Sequence, residues 1–226
     1  MKTARTAIAT ARVPTLNEEA HRRLEEMIVT LELAPGSVVS ESMLSKRLGI
    51  GTTPIREALQ RLAREHLVQI FARRGVVVTP IDVRQQLEVL ETRRELERLI
   101  ARCAARRATQ GERKAFSELA ERMEKAAGRH DARAFLRFDD ELNQMVARVA
   151  RNEIAAQTIL ALHSVSRRFW YFHHEDSPGG EVTTQLHVAL ARAIASGDEA
   201  AAAMASDRLV DDLIAFARAT LPAGAH

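Results

Sequence analysis

Ser40-Glu41-Ser42-Met43-Leu44-Ser45-Lys46-Arg47-Leu48-Gly49-Ile50-Gly51-Thr52-Thr53-Pro54-Ile55-Arg56-Glu57-Ala58-Leu59-Gln60-Arg61-Leu62 reads as two helices joined by a tight link. Ser40 suits an N-cap, Met43, Leu44 and Leu48 give the first helix an apolar side, and Gly49 suits its C-cap. Thr52-Thr53-Pro54 opens the second helix, with Pro54 at a first helical position, where its missing N–H costs little. Ile55, Ala58, Leu59 and Leu62 then form a single inward stripe. Upstream, Leu24, Met27, Ile28 and Leu31 recur at helical spacing until Ala34-Pro35-Gly36 ends the run. Downstream the period changes. Val68-Gln69-Ile70-Phe71 and Val76-Val77-Val78 are β-prone runs around Ala72-Arg73-Arg74-Gly75, which predicts a hairpin. Helix, short helix, link, helix and hairpin is the order of a winged helix-turn-helix.

Charge agrees with that order. The net charge is only +3, but residues 1–80 hold 12 Lys and Arg against 8 Glu and no Asp, while residues 81–226 hold 21 against 22 acidic residues. A basic excess confined to one segment points to a polyanion-facing module attached to a neutral one. In a helix-turn-helix the second helix turns its polar side outward. Thr53, Arg56 and Gln60 lie opposite the apolar stripe and can reach bases and phosphates, with Thr52 and Ser42 beside them. Arg56 can fork onto a guanine, and the Thr hydroxyls and first-turn N–H groups suit phosphates. Arg73, Arg74 and Gly75 at the hairpin tip suit a minor groove or its phosphates. The expected partner is double-stranded DNA, bound by a homodimer, because a single winged module makes few specific contacts.

Residues 1–14 read as a flexible tail and 15–80 as the DNA-binding domain. From residue 81 to 222 the chain is rich in Ala, Leu, Arg and Glu, with breaks near Gly111, Gly128, Asn152, Ser177-Pro178-Gly179-Gly180 and Gly197-Asp198. Six helix-length segments result, so the fold class is mainly α, a winged helix-turn-helix followed by an antiparallel helical bundle. No run of about 18 apolar residues exists for a spanning helix, so no membrane is expected. The N-terminus lacks the apolar stretch of a signal peptide. Cys103 is the only cysteine, which excludes an internal disulfide and fits a reducing cytoplasm.

The run Leu33-Ala34-Pro35-Gly36, Glu41, Leu44-Ser45, Leu48-Gly49-Ile50, Thr53-Pro54-Ile55-Arg56-Glu57-Ala58-Leu59-Gln60-Arg61-Leu62, His66-Leu67-Val68 and Arg74-Gly75 resembles the DNA-binding domain of GntR-family bacterial transcription regulators. Glu91-Thr92-Arg93-Arg94-Glu95-Leu96-Glu97 is similar to the opening of the FadR-type helical effector domain, the FCD class. Many members carry Ser-Arg before the Thr-Pro, whereas this chain has Gly51-Thr52, so the operator is expected to differ from the family's commonest one. The resemblance implies an effector-responsive regulator, a repressor on a near-palindromic operator, cytoplasmic and nucleoid-associated when bound. Family members often sense small organic acids. They also often hold a divalent metal (zinc, manganese or nickel) through an Asp, a His four residues on and two later His. Here Asp139, Asn143, His187 and, at the edge of the Leu209, Val210, Leu213 and Phe216 stripe, Asp207 take those places. Two of the four ligand types are therefore changed. A buried Asp–His pair can equally satisfy itself by hydrogen bonding with no metal.

Arg93 shares a helix face with Val89, Leu96 and Ile100, so its guanidinium is directed inward, where a carboxylate effector would pair with it. The alternative is a helix-surface pair with Glu97, four residues on. Asp139, Asn143 and His187 are the other effector-contact candidates. Arg167-Arg168-Phe169-Trp170-Tyr171-Phe172-His173-His174 gathers four of the nine aromatics. It reads as a core or interface segment, or as a pocket wall with His163 or His173 as a polar contact. A metal-dependent small-molecule enzyme or a ligand-binding helical protein using the bundle pocket is the alternative function, but for the enzyme the sequence offers no nucleophile–base pair and no phosphate-cradling glycine loop. No enzyme activity and no organic cofactor are expected.

Overall fold

The computed structural model describes residues 14–72, 75–127, 131–174 and 180–221. Thr15 begins α1 (Leu16–Val29): its Oγ1 accepts from the Glu18 N–H at 3.2 Å, and the Glu18 carboxylate accepts from the Thr15 N–H at 2.7 Å. That capping box satisfies two N–H groups that the first turn leaves without partners. α1 stops at Val29, ahead of Ala34-Pro35-Gly36, and Leu31 takes a positive φ of 60°. Ser40 caps α2 (Glu41–Leu48), accepting from the Met43 N–H at 3.2 Å, and Gly49 ends it in the left-handed region. α3 (Thr52–Arg64) starts two residues before Pro54. Pro54 is thus the third helical residue, not the first, though still within the turn whose N–H groups have no helical partner.

Ile55, Ala58, Leu59 and Leu62 of α3 pack into one core with Leu24 and Ile28 of α1 and Leu44 of α2. The wing is a three-stranded antiparallel sheet of β1 (Val38–Val39), β2 (Val68–Phe71) and β3 (Gly75–Val78), in the order β1-β3-β2. Val68 faces Val78 and Phe71 faces Gly75, while Val39 faces Val76. The two-residue β1 is too short to show a period in sequence. Of the expected tail only Pro14 is described, and Arg73 and Arg74 lie outside the described residues, as do the breaks at Gly128 and Ser177-Pro178-Gly179.

Six helices follow: α4 (Val83–Arg107), α5 (Gln110–Ala126), α6 (Ala132–Val149), α7 (Glu153–His173), α8 (Gly180–Ser196) and α9 (Glu199–Ala219). Asp82, Thr109, Asp131, Asn152 and Asp198 cap five of them with side-chain oxygens. The break near Gly111 falls at Ala108-Thr109. A Thr109–Glu112 capping box starts α5 just before Gly111. Ile100, Phe116, Leu119, Leu142, Ile159, Ile194 and Leu209 form the bundle core.

α7 joins the two parts. Val165 packs in the core of the winged domain, and Trp170 packs with Leu136 and with Val29 of α1. Arg168, 1% exposed, donates from Nη1 to the Thr79 carbonyl at 3.0 Å and the Thr79 hydroxyl at 2.9 Å, and from Nη2 to the Pro80 carbonyl at 3.3 Å. Burial lowers its guanidinium to about 10, and those oxygens replace the water it has lost.

Gly75 is held at φ +91°, and a Cβ there would sit 3.0 Å from the Val39 carbonyl oxygen. Gly75→Ala should therefore destabilise the wing by about 2 kcal/mol through backbone strain and crowding. Denaturant unfolding of the full chain checks this, and unchanged stability would remove the structural reason for glycine at this position.

Candidate nucleic-acid interface and buried pocket

Ser42, Thr52, Thr53, Arg56 and Gln60 are all exposed, on one side of the α2–α3 pair. Gly51 precedes α3 without a side-chain cap, so no side chain competes with a phosphate for the first-turn N–H groups. Arg56 is not free-standing. Its Nε lies 2.9 Å and 3.0 Å from the two Glu41 carboxylate oxygens, and Nη2 donates to Oε2 at 2.7 Å. Such an exposed pair is worth little. Sequence reading missed Glu41, although a carboxylate one helix away from a reading arginine is a usable signal. Gly75 serves the wing's backbone, as its φ requires.

α1 steadies α3 from behind. His21 Nε2 and Glu65 Oε2 are 2.6 Å apart in a buried pair, Glu65 also accepts from Arg61 Nε at 2.9 Å, and Asn17 donates to Glu57 at 3.0 Å. Arg23 reaches the Leu48 carbonyl at the end of α2 at 2.9 Å.

The second site is inside the bundle. A cavity of about 20 Å³ is lined by Arg93, Phe135, Leu136, Asp139, Asn143, His163, Ser166, Arg167, Trp170, His187 and Leu213. That volume has room for a water molecule and little more. Asp139 Oδ1 lies 2.9 Å from His187 Nε2, whose Nδ1 donates to the Thr183 carbonyl at 2.7 Å. With Nδ1 committed as a donor, Nε2 facing a carboxylate favours the imidazolium. Burial alone would lower the His187 pKa, but Asp139 outweighs it and raises it. Likewise burial would raise Asp139, and His187, with Arg167 behind, holds it well below the usual carboxylate range.

Arg93 points inward, as expected, and its pair with Glu97 is buried rather than on the helix surface. Arg93 lines the cavity, and its Nε donates to Glu97 Oε1 at 2.7 Å with both side chains buried. His163 Nε2 sits 3.0 Å from the same oxygen. Burial would raise the Glu97 carboxyl, but Arg93 and His163 bring it down to about 2. His163 itself is lowered, by burial and then by the Arg93 charge.

The structure brings Asp139, Asn143 and His187 to one cavity but not Asp207, which binds Arg98 Nε at 2.8 Å elsewhere on α9. Leu213 is the α9 residue at the cavity. Asp139, Asn143 and His187 do not fit a divalent metal. Leu213 offers no donor, Arg167 Nε stands 3.7 Å from Asp139 Oδ2, and Arg93 adds a second guanidinium to the lining. No group of three His, Cys, Asp or Glu able to hold a metal occurs among the described residues.

Arg167, Ser166 and Trp170 were not singled out as site residues in sequence, and they carry much of the pocket. With His163 they fall at i, i+3, i+4 and i+7, one helical face, which is the signal that could have found them. The aromatic run divides. Trp170 forms the cavity wall, with its ring centroid 4.3 Å from that of Phe135, Phe169 packs on Leu90 and Ala217, and Phe172 points out. His173 stacks near Phe169 and is not part of the lining.

Arg167 also reaches out of the cavity. Its Nη1 donates to Asp140 at 2.8 Å and approaches Glu25 of α1 at 3.4 Å, and Ser164 donates to the same Glu25 oxygen. One α7 face thus touches both the pocket and the winged domain. No helix among the described residues is long and apolar enough to cross a membrane.

A winged helix-turn-helix with an exposed polar face, mounted on a helical domain with a small cavity of mixed polar and apolar lining, is the architecture of a DNA-binding transcription regulator. Residues 16–78 match the family described as bacterial regulatory proteins, gntR family, and residues 88–212 match the FCD domain. The chain belongs to the gntR family of bacterial transcription regulators, with an FCD domain as its second part. It is 27% identical over 183 residues to the HTH-type transcriptional repressor RspR of Escherichia coli strain K12, covering 81% of this chain and 80% of that one. The Nta operon transcriptional regulator of Aminobacter aminovorans is 26% identical over 173 residues, 76% of this chain and 80% of its own. The solved structure of E. coli McbR/YncC superposes with a TM-score of 0.79 at 19% identity, covering 92% of this chain and 99% of that one, which shows a shared fold.

Glu97 is the buried partner of the Arg93 guanidinium and of the His163 ring, so Glu97→Gln should cost roughly 3 kcal/mol at neutral pH. A depressed carboxylate pKa stabilises the fold above the unfolded value of about 4.3, and that contribution disappears as pH falls toward 2. The gap between wild type and Glu97→Gln should therefore close on acidification below about pH 4.3. Denaturant curves across that window check it, and a gap independent of pH would contradict the ion-pair account.

Proposed function

We propose that this chain is a homodimeric, effector-responsive repressor that reads a near-palindromic operator and is released by a small organic acid bound in the bundle. Its place of action is the bacterial cytoplasm, on the nucleoid when DNA is bound. One observation carries the reading. The cavity holding Asp139, Asn143, His163 and His187 lies against the α7 face that also grips α1, the helix on which α3 rests. Thr53, Arg56 and Gln60, with Ser42 and Thr52 beside them, face base edges and phosphates, and Arg73, Arg74 and Gly75 are further DNA contacts. Two copies on a two-fold site double these contacts.

Coupling follows from size and charge. The cavity of about 20 Å³ has no room for an acid, so binding must move its walls. Arg167 swings toward the incoming carboxylate and away from Glu25, while Trp170 shifts against Val29. Both changes act on α1, and ligand affinity then depends on which arrangement of the winged domain prevails. Arg93 stays with Glu97 and supplies positive charge to the wall.

Selection of the purified protein against random duplex DNA, with sequencing of what binds, tests the DNA reading. An enriched inverted repeat is expected, with an affinity that falls with salt by a slope of about −0.9 per neutralised phosphate. No enrichment at low salt would overturn the reading. For the coupling, Glu25→Ala should leave ligand binding intact but shrink the effector's change in operator affinity below about fivefold. Undiminished release by that variant in a gel-shift titration would remove Glu25 from the path.

A further inference from the structure

The basic excess of the N-terminal part is carried mostly outside the winged fold. Of the 12 Lys and Arg in residues 1–80, three (Lys2, Arg5 and Arg12) precede Pro14, and the other nine stand against all eight Glu. The winged domain to which α3 belongs is thus close to neutral. Its cations also have carboxylates beside them: Arg22 has Glu19, Arg47 has Glu32, Arg56 has Glu41 and Arg61 has Glu65. Duplex DNA carries a negative charge about every 1.7 Å of its axis, and affinity grows with each phosphate neutralised. A nearly neutral reader is poorly supplied for that, whereas residues 1–13 hold three cations and no Asp or Glu.

The fold places the attachment point of that segment beside the reading face. Asn17, in the first turn of α1, donates to the Glu57 carboxylate at 3.0 Å. Glu57 follows Thr53 by four residues and precedes Gln60 by three, so the three are neighbours on the surface of α3, and all are exposed. α1 therefore begins at the edge of the surface that meets DNA. The Thr15–Glu18 capping box fixes that starting point, and Leu16, 64% exposed, leaves the corner open to a partner. Thirteen residues span at most about 45 Å, more than the roughly 34 Å of one helical turn of duplex.

Resting on α3 as the reading helix, we propose that residues 1–13 are a second DNA-binding element, which contacts the duplex beside the stretch that α3 reads. Lys2, Arg5 and Arg12 neutralise phosphates along an adjoining minor groove. Between these cations stand only Thr, Ala and Ile8, narrow enough for a groove about 6 Å wide, and the Thr hydroxyls can donate to phosphate oxygens. Phosphate contacts position a protein and carry no sequence information directly. Selectivity then comes from α3, and much of the attraction comes from the segment ahead of α1.

Salt titrations compare the full-length protein with its Lys2→Ala/Arg5→Ala/Arg12→Ala variant on two duplexes. One is the repeat enriched from random DNA, and the other is that repeat with about ten base pairs, one helical turn, added at each end. α1 is capped at Thr15, so the variant should melt with the wild type. On the longer duplex the variant's log–log salt slope is expected to be shallower by about 2.7 per subunit, with at least tenfold weaker binding near 0.1 M salt. On the short duplex the two proteins should nearly agree. Arg5→Lys/Arg12→Lys should keep the wild-type slope, because charge rather than fork geometry is used. Equal slopes and affinities for wild type and the triple variant on the longer duplex would overturn the proposal, and an equal loss on both duplexes would overturn the flanking placement. In either case, loss of preference for the repeat in Arg56→Ala leaves α3 as the reader. If Arg56→Ala keeps that preference and only the triple variant loses binding, the reading of α3 itself falls.

Discussion

Burying the charged face of α7 is the constraint on which the rest of the structure depends. His163, Arg167 and Arg168 stand on a helix that packs between the bundle and the winged domain, and none can lose water without a polar partner. The partners come from different places: Glu97 on α4, Asp139 and Asp140 on α6, Glu25 on α1, and the oxygens of Thr79 and Pro80 where the two domains join. Satisfying α7 therefore fixes the relative positions of every element it touches. A hydrophobic seam alone tolerates sliding, whereas directed bonds to named oxygens do not.

α1 is the other half of that arrangement. Its apolar face, Leu24 and Ile28, belongs to the core that seats α3, and His21 and Asn17 tie it to Glu65 and Glu57 of that helix. Its remaining face meets α7 through Glu25 and Val29. A shift of α1 thus alters the presentation of Thr53, Arg56 and Gln60 without any change within α3.

Much of this was legible in the sequence, for reasons that differ by element. The period of Ile55, Ala58, Leu59 and Leu62, the Ser40 and Gly49 caps and the change to β-branched runs at Val68 and Val76 are local signals, and local signals survive into the fold. The winged domain and the six-helix bundle follow from them. β1 was not visible, because two residues have no period, and α5 began before Gly111 because a Thr109–Glu112 box is stronger punctuation than a glycine inside a first turn. Asp139, Asn143 and His187 converge because each sits on an inward stripe. Asp207 does not join them, for it lies beyond its stripe's edge and finds Arg98 instead. Arg167 was read only as part of the aromatic run and its pocket-wall alternative, since its ionic partners are 142 and 27 residues away in sequence, and no window along the chain brings them together.

The account's central claim is that cavity and DNA-reading surface are energetically one system. The direct measurement is a titration of an organic acid that releases the operator, read by Trp170 emission, without and with a saturating excess of the selected operator. The account predicts that operator weakens the acid by the same factor by which the acid weakens operator, between about 5-fold and 150-fold. Superimposable titration curves with and without DNA would contradict it, whatever each site binds on its own.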